Sequence, residues 1–298
     1  MASRSESVLR MGTLACSLLL LATSGRAVAA EPLLIVAAEN FYGDVARQIA
    51  GPRVQVVSIL QNPDADPHLF EPDAATARRV ADANLLIYNG LNYDPWIERL
   101  LANRGRHARV TLQAAALLGR APGDNPHLWY DPASMPAVAR ALAVQLQRLD
   151  PADRMGYERR LSSFLQSLRP LQTAIAQLKQ RYAGEPVTAT EPVANDLTAA
   201  IGLTMRNAAL QLAIMNDSEP GPREIGAFEQ SLRTHSVRVL IYNLQTTGGI
   251  TQRLLEVARQ AAVPLVGVSE TEPVGRDYQQ WMMQVVTQLG TALRGGHR

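Results

Sequence analysis

The chain predicts an α/β fold of two lobes, each with a parallel sheet flanked by helices, joined by one long linking helix. Three observations predict it. Short aliphatic runs alternate with amphipathic stretches from residue 33, and the same rhythm restarts after Gly184. Between the two series, apolar residues recur at spacings of three or four through about 30 residues. Finally, the tetrapeptide Leu86-Ile87-Tyr88-Asn89 returns as Leu240-Ile241-Tyr242-Asn243, and each is followed by Arg-Leu-Leu at the same distance.

The first series reads strand 33–37, helix 41–50, strand 54–60, helix 74–81 and strand 85–88, then an aliphatic segment near Val110 and a helix over 132–149. Asp150 and Pro151 then suit the N-cap and first position of the linking helix, and Gly184 suits its end. Pro170 deletes one backbone donor and predicts a kink in its middle. The second series reads strand 186–190, helices 193–201 and 223–233, strand 237–242, helix 250–262, strand 265–268 and helix 278–293. The expected division is a leader over 1–30, an N-terminal lobe over 31–150, the linking helix over 151–183 and a C-terminal lobe over 184–298.

Residues 1–30 differ in kind from the rest. Arg4 and Arg10 precede the apolar run 14–22, and small residues end the segment at Ala29-Ala30, the order of a secretory signal peptide. The run falls short of the roughly 20 residues that cross a bilayer. Cys16 is the single cysteine; Thr13 upstream of it, where an aliphatic residue is usual, and the leucines after it argue against lipidation. The expectation is an unlipidated periplasmic protein. Loss of Cys16 with the leader leaves no thiolate, so any metal site has to use nitrogen and oxygen. The chain carries 29 basic and 27 acidic residues, which balance once Arg4, Arg10, Arg26 and Glu6 are removed. Such a surface does not indicate a nucleic-acid partner, and a monomer is expected.

Open α/β sheets bind ligands beyond the carboxyl ends of their strands, so the residues just past each strand are the candidates for chemistry. His68 lies in Asp64-Ala65-Asp66-Pro67-His68-Leu69-Phe70-Glu71-Pro72, where prolines restrict the backbone. His127 lies in Asn125-Pro126-His127-Leu128-Trp129-Tyr130-Asp131-Pro132, just before a helix. Glu191 follows the strand at 186–190, and Glu270 follows the strand at 265–268. A lone histidine in a polar loop is usually only solvated and a carboxylate after a strand usually a cap. Four such residues, two per lobe, in the same kind of position point instead to a metal site. His107, His235 and His297 lack that setting. Asn40, Asp66 and Glu71 lie close enough in sequence to orient an imidazole.

These strings resemble the zinc- and manganese-type solute-binding proteins of bacterial ABC metal importers (cluster A-I) over essentially the whole mature chain. The carriers are Asp66-Pro67-His68 with Phe70-Glu71-Pro72, Asn125 to Pro132, the long helix, and Val268-Ser269-Glu270-Thr271-Glu272-Pro273 followed by Tyr278-Gln279-Gln280-Trp281-Met282. The resemblance implies that His68, His127, Glu191 and Glu270 are metal ligands, with Glu272 as the other candidate for the fourth position. It implies Zn2+ or Mn2+ as bound cargo, with Fe2+ within reach of the same ligands, and an ABC importer's membrane permease and cytoplasmic ATPase as partners. The histidine-rich loop of some zinc importers is missing between His68 and His127, which holds only His107. The alternatives are a secreted metalloenzyme and a surface adhesin; no His-Glu-x-x-His helix, nucleophile elbow or phosphate loop supports the former, and no repeat or surface anchor the latter.

Overall fold

In the computed structural model the segment Leu34–Glu39 forms β1 and is buried on both faces, as expected of an inner strand in a parallel sheet. The structure describes residues 32–62, 67, 70–102, 108–216, 218–246 and 248–295; the leader over 1–30, Asp66 and His68 lie outside them. Helix α1 (Asn40–Ala50) follows β1 without a loop and returns along the sheet to β2 (Gln55–Leu60). Gly43 permits that close return, because a side-chain carbon there would collide with Ser58 Oγ on β2. Next come α2 (Ala74–Asp82), whose first turn is capped by Asp73 accepting from Thr76 N–H at 2.7 Å, then β3 (Leu85–Tyr88) and α3 (Pro95–Leu101). The lobe closes with β4 (Val110–Gln113), α4 (Ala114–Leu117) and α5 (Ser134–Leu149). Its strands run parallel in the order β2-β1-β3-β4.

The linking helix is two helices. After a tight turn at Pro151–Asp153, α6 (Arg154–Ser167) and α7 (Arg169–Tyr182) are separated at Leu168. Pro170 falls in the first turn of α7, where its missing N–H costs nothing. The proline thus starts a helix where a kink within one was expected. Arg160 of α6 ties the first lobe to this segment by donating to the carbonyls of Ile49 and Ala50 at 2.7 and 3.1 Å, the unpaired acceptors at the end of α1.

The second lobe contains β5 (Pro186–Ala189), α8 (Asn195–Ile201), β6 (Thr204–Arg206), α9 (Ala208–Met215), α10 (Pro222–Arg233), β7 (Leu240–Asn243), α11 (Gly249–Gln260), β8 (Leu265–Val268) and α12 (Tyr278–Gly295). Its parallel order, β6-β5-β7-β8, repeats that of the first lobe. The echoed tetrapeptides therefore occupy the same third position of each sheet, in β3 and β7. The described residues from Pro32 onward form one compact unit, and one apolar cluster runs through both lobes. Phe41 packs on Trp129 (centroids 4.6 Å apart), Trp281 of α12 lies 5.8 Å from Tyr130, and Tyr278 and Tyr130 donate across the seam to the carbonyls of Trp129 and Ser269. Wide separation of the lobes would expose these rings, at a cost of several kcal/mol for each aromatic side chain uncovered.

Candidate metal centre

Three of the four expected ligands lie in the described residues, and all three are buried where the carboxyl ends of the two sheets meet. His127 is fully buried, Glu191 is 4% exposed and Glu270 1%. His127 sits in the loop between α4 and α5; its Nε2 stands 3.6 Å from Glu270 Oε2, which comes from the segment just after β8. Glu191 lies just past β5, and the amide of Asn243, the last residue of β7, reaches both carboxylates: 2.6 Å to Glu270 Oε1, 3.4 and 3.5 Å to Glu191. Burial raises the pKa of Glu191, and the charge of Glu270 adds to the rise, while the Thr246 hydroxyl and the Asn243 amide oppose it. The arrangement holds two acidic groups against each other in a low-dielectric space, which is the condition a cation relieves. Among the described residues no group of three or more His, Cys, Asp and Glu side chains is already gathered at metal-binding spacing.

His127 is packed edge-on against Trp129 and Tyr93, with centroids 5.4 and 6.1 Å away. Tyr93 is carried by a turn in which Gly90, Leu91 and Asn92 all have positive φ (83°, 54° and 60°), a conformation that costs about 1–2 kcal/mol for each side-chain-bearing residue. Asp94 pins that turn by accepting from the N–H groups of Asn89 and Gly90 at 2.6 and 2.8 Å. Burial lifts Asp94 to a pKa of about 6. Glu39, at the end of β1, is also raised well above the ordinary carboxylate range, by burial first and then by the charge of Asp94.

Sequence reasoning missed the asparagines. Asn89, at the end of β3, accepts from the Tyr42 hydroxyl at 2.8 Å and donates to the Pro126 carbonyl at 2.8 Å, which fixes the loop that carries His127. Asn243, at the end of β7 in the second lobe, bonds the two carboxylates directly. The echoed tetrapeptides contained both residues, and that repetition was the available signal. Of the groups expected to orient an imidazole, Glu71 is exposed, and Asn40 instead clamps the backbone of Glu272, accepting from its N–H at 3.0 Å and donating to its carbonyl at 2.8 Å. The Glu272 side chain is buried beside Asp44, Arg47 and Asp277, and burial pushes its pKa up to about 9. Of the two candidates for the fourth position, Glu270 is the one set against His127.

The chain is similar to the manganese ABC transporter substrate-binding lipoprotein PsaA of Streptococcus pneumoniae, with 23% identity covering 91% of this chain and 89% of PsaA. The manganese-binding lipoprotein MntA of Halalkalibacterium halodurans is 30% identical over about half of each chain (48% of both). Among solved structures, the periplasmic zinc-binding protein TroA from Treponema pallidum superposes with a TM-score of 0.74 at 16% identity, covering 89% of this chain and 99% of that one. PsaA and MntA are named as lipoproteins, which overturns the expectation of an unlipidated protein. That expectation rested on Thr13 and on the leucines that follow Cys16, local features that do not decide whether the one thiol of the leader is modified. These relatives are solute-binding components, and the enzyme reading is set aside. The family model for zinc-uptake complex component A, periplasmic (ZnuA), matches residues 35–292, and the chain belongs to that family.

Proposed function

We propose that this extracytoplasmic chain captures a divalent transition metal between its lobes, with His68, His127, Glu191 and Glu270 as ligands, and delivers it to the permease and ATPase of an ABC importer. The observation that carries the reading is the 3.6 Å approach of His127 Nε2 to Glu270 Oε2, a nitrogen donor from one lobe and a carboxylate from the other, both buried. Two imidazoles and two carboxylates suit tetrahedral zinc, and they suit manganese or iron at higher coordination when the carboxylates bind through both oxygens. The names of the relatives span the same choice, manganese for PsaA and MntA and zinc for TroA. The lobe limits 31–150 and 184–298 fit this reading, since each range contains one sheet and contributes two of the four ligands.

The cation neutralises the paired carboxylates and ties the lobes, so metal raises stability. At a hundred times its dissociation constant it adds about 2.7 kcal/mol, a rise of roughly 5–10 °C in Tm for a chain of this size. Chelator-stripped protein titrated with zinc and manganese tests this by thermal shift, and a midpoint indifferent to both ions would refute the reading. Zinc outcompetes manganese in most sites of this composition whatever the cargo, so elemental analysis of protein recovered from its native compartment identifies the physiological metal.

A further inference from the structure

Asn125 touches both lobes at once. Its amide nitrogen donates to the carbonyl of Pro192, the residue after Glu191, at 3.0 Å. Its amide oxygen lies 2.7 Å from His127 Nδ1 and also accepts from the His127 backbone N–H at 3.3 Å. A carbonyl oxygen can only accept, so Pro192 decides which end of the amide faces it, and the oxygen is left for the imidazole. An amide oxygen can likewise only accept, so the neutral ring carries its proton on Nδ1. Nε2 then presents its lone pair toward Glu270, as metal binding requires.

We infer that Asn125 is a positioning residue that selects the Nδ1–H tautomer of His127, with its own orientation set by Pro192 of the opposite lobe. The inference rests on the reading of His127 as a ligand and adds how the ring is prepared. Contact between the lobes and readiness of the imidazole are thereby coupled: with Pro192 withdrawn, only the longer 3.3 Å bond from the His127 backbone N–H holds the amide oxygen toward the ring, and the reversed amide, which favours the tautomer with Nε2 protonated and blocked, gains population. Removal of such a supporting hydrogen bond lowers metal affinity by about 10- to 100-fold.

The test uses the full chain, 15N-labelled and stripped of metal, at a pH where the ring is neutral. Long-range 1H–15N spectra identify the protonated nitrogen of His127, and a His127→Gln variant assigns its signals. The wild type should show Nδ1–H. Asn125→Asp keeps an acceptor for the ring and should retain that tautomer, whereas Asn125→Ala should yield a tautomer mixture and a 10- to 100-fold weaker zinc affinity. An Nε2–H signal in the wild type overturns the inference, and so does an Asn125→Ala protein with unchanged tautomer and unchanged affinity. The tautomer is read without metal, so failure of the metal reading itself would show separately, as Nδ1–H in a wild-type protein that binds no zinc.

Discussion

Asn89 and Asn243 close equivalent strands of two sheets with the same strand order, and both are buried, yet they face different chemistry. In the first lobe the amide bonds neutral groups, the Tyr42 hydroxyl and the Pro126 carbonyl, and so fixes a loop that bears a neutral donor, His127. In the second lobe the amide bonds the carboxylates of Glu270 and Glu191 themselves. The first arrangement is complete without a cation. The second sets two buried acids in mutual repulsion, moderated by the Asn243 amide and the Thr246 hydroxyl, and a cation would relieve it further. A repeated scaffold thus supplies one asparagine that fixes a neutral donor and one that faces two acids, and the proposed site lies between them.

The largest effect should come from breaking what the halves share. Trp281, 2% exposed and set among Phe41, Tyr130 and Tyr278, belongs to the apolar cluster that spans both lobes. Trp281→Ala should cost about 3–5 kcal/mol in chemical denaturation and keep a single cooperative transition. Separate transitions for the two lobes would show that they do not depend on one core.

The asparagines themselves sharpen the comparison. Asn89→Ala removes the buried bonds to the Tyr42 hydroxyl and the Pro126 carbonyl and should lower stability by about 1–3 kcal/mol, equally with and without metal. Asn243→Ala removes the amide from the two acids, so its loss of about 1–3 kcal/mol should appear in chelator-treated protein and shrink when zinc is added. Thermal shifts on both variants in both conditions decide the matter; an identical response of the two would remove the distinction drawn between the lobes.

A smaller effect concerns Glu272 on the lobe seam. Its folded pKa is raised from the ordinary 4.5 to about 9, so between those values the folded chain holds a proton that the unfolded chain has released. Stability from this group therefore falls as pH rises through that window. Glu272→Gln has no proton to lose, and its urea midpoint should decline less than the wild type's from pH 5 to 9 in metal-free protein. Parallel curves would place the Glu272 carboxyl in contact with solvent.

Much of the fold was legible because burial leaves its mark locally. A strand covered on both faces reads as an aliphatic run, as in Leu85–Tyr88, and a helix with one buried face reads at spacings of three and four, as in α12. β6 and α9 were not legible: β6 has three residues and an edge position, and α9 is apolar nearly all round, so neither shows a clear period. The break at Leu168 was hidden because both helices continue one apolar face across it. The candidate ligands His127, Glu191 and Glu270 were visible from their places beyond strand ends. Their supports were not, since Asn243 meets Glu191 across 52 positions and Asn125 meets Pro192 across 67, contacts that no local pattern encodes. Asn40, adjacent to β1, was assigned to an imidazole on proximity in sequence, and the folded chain gives it to the Glu272 backbone, 232 residues away.

The central claim, that one metal ion is held jointly by both lobes, is tested most directly by calorimetric titration of chelator-stripped protein with Zn2+ and Mn2+. The wild type should bind one ion per chain, and His127→Ala in the first lobe and Glu270→Gln in the second should each weaken that event severely. Full one-to-one affinity retained by either variant would contradict a site shared between the lobes.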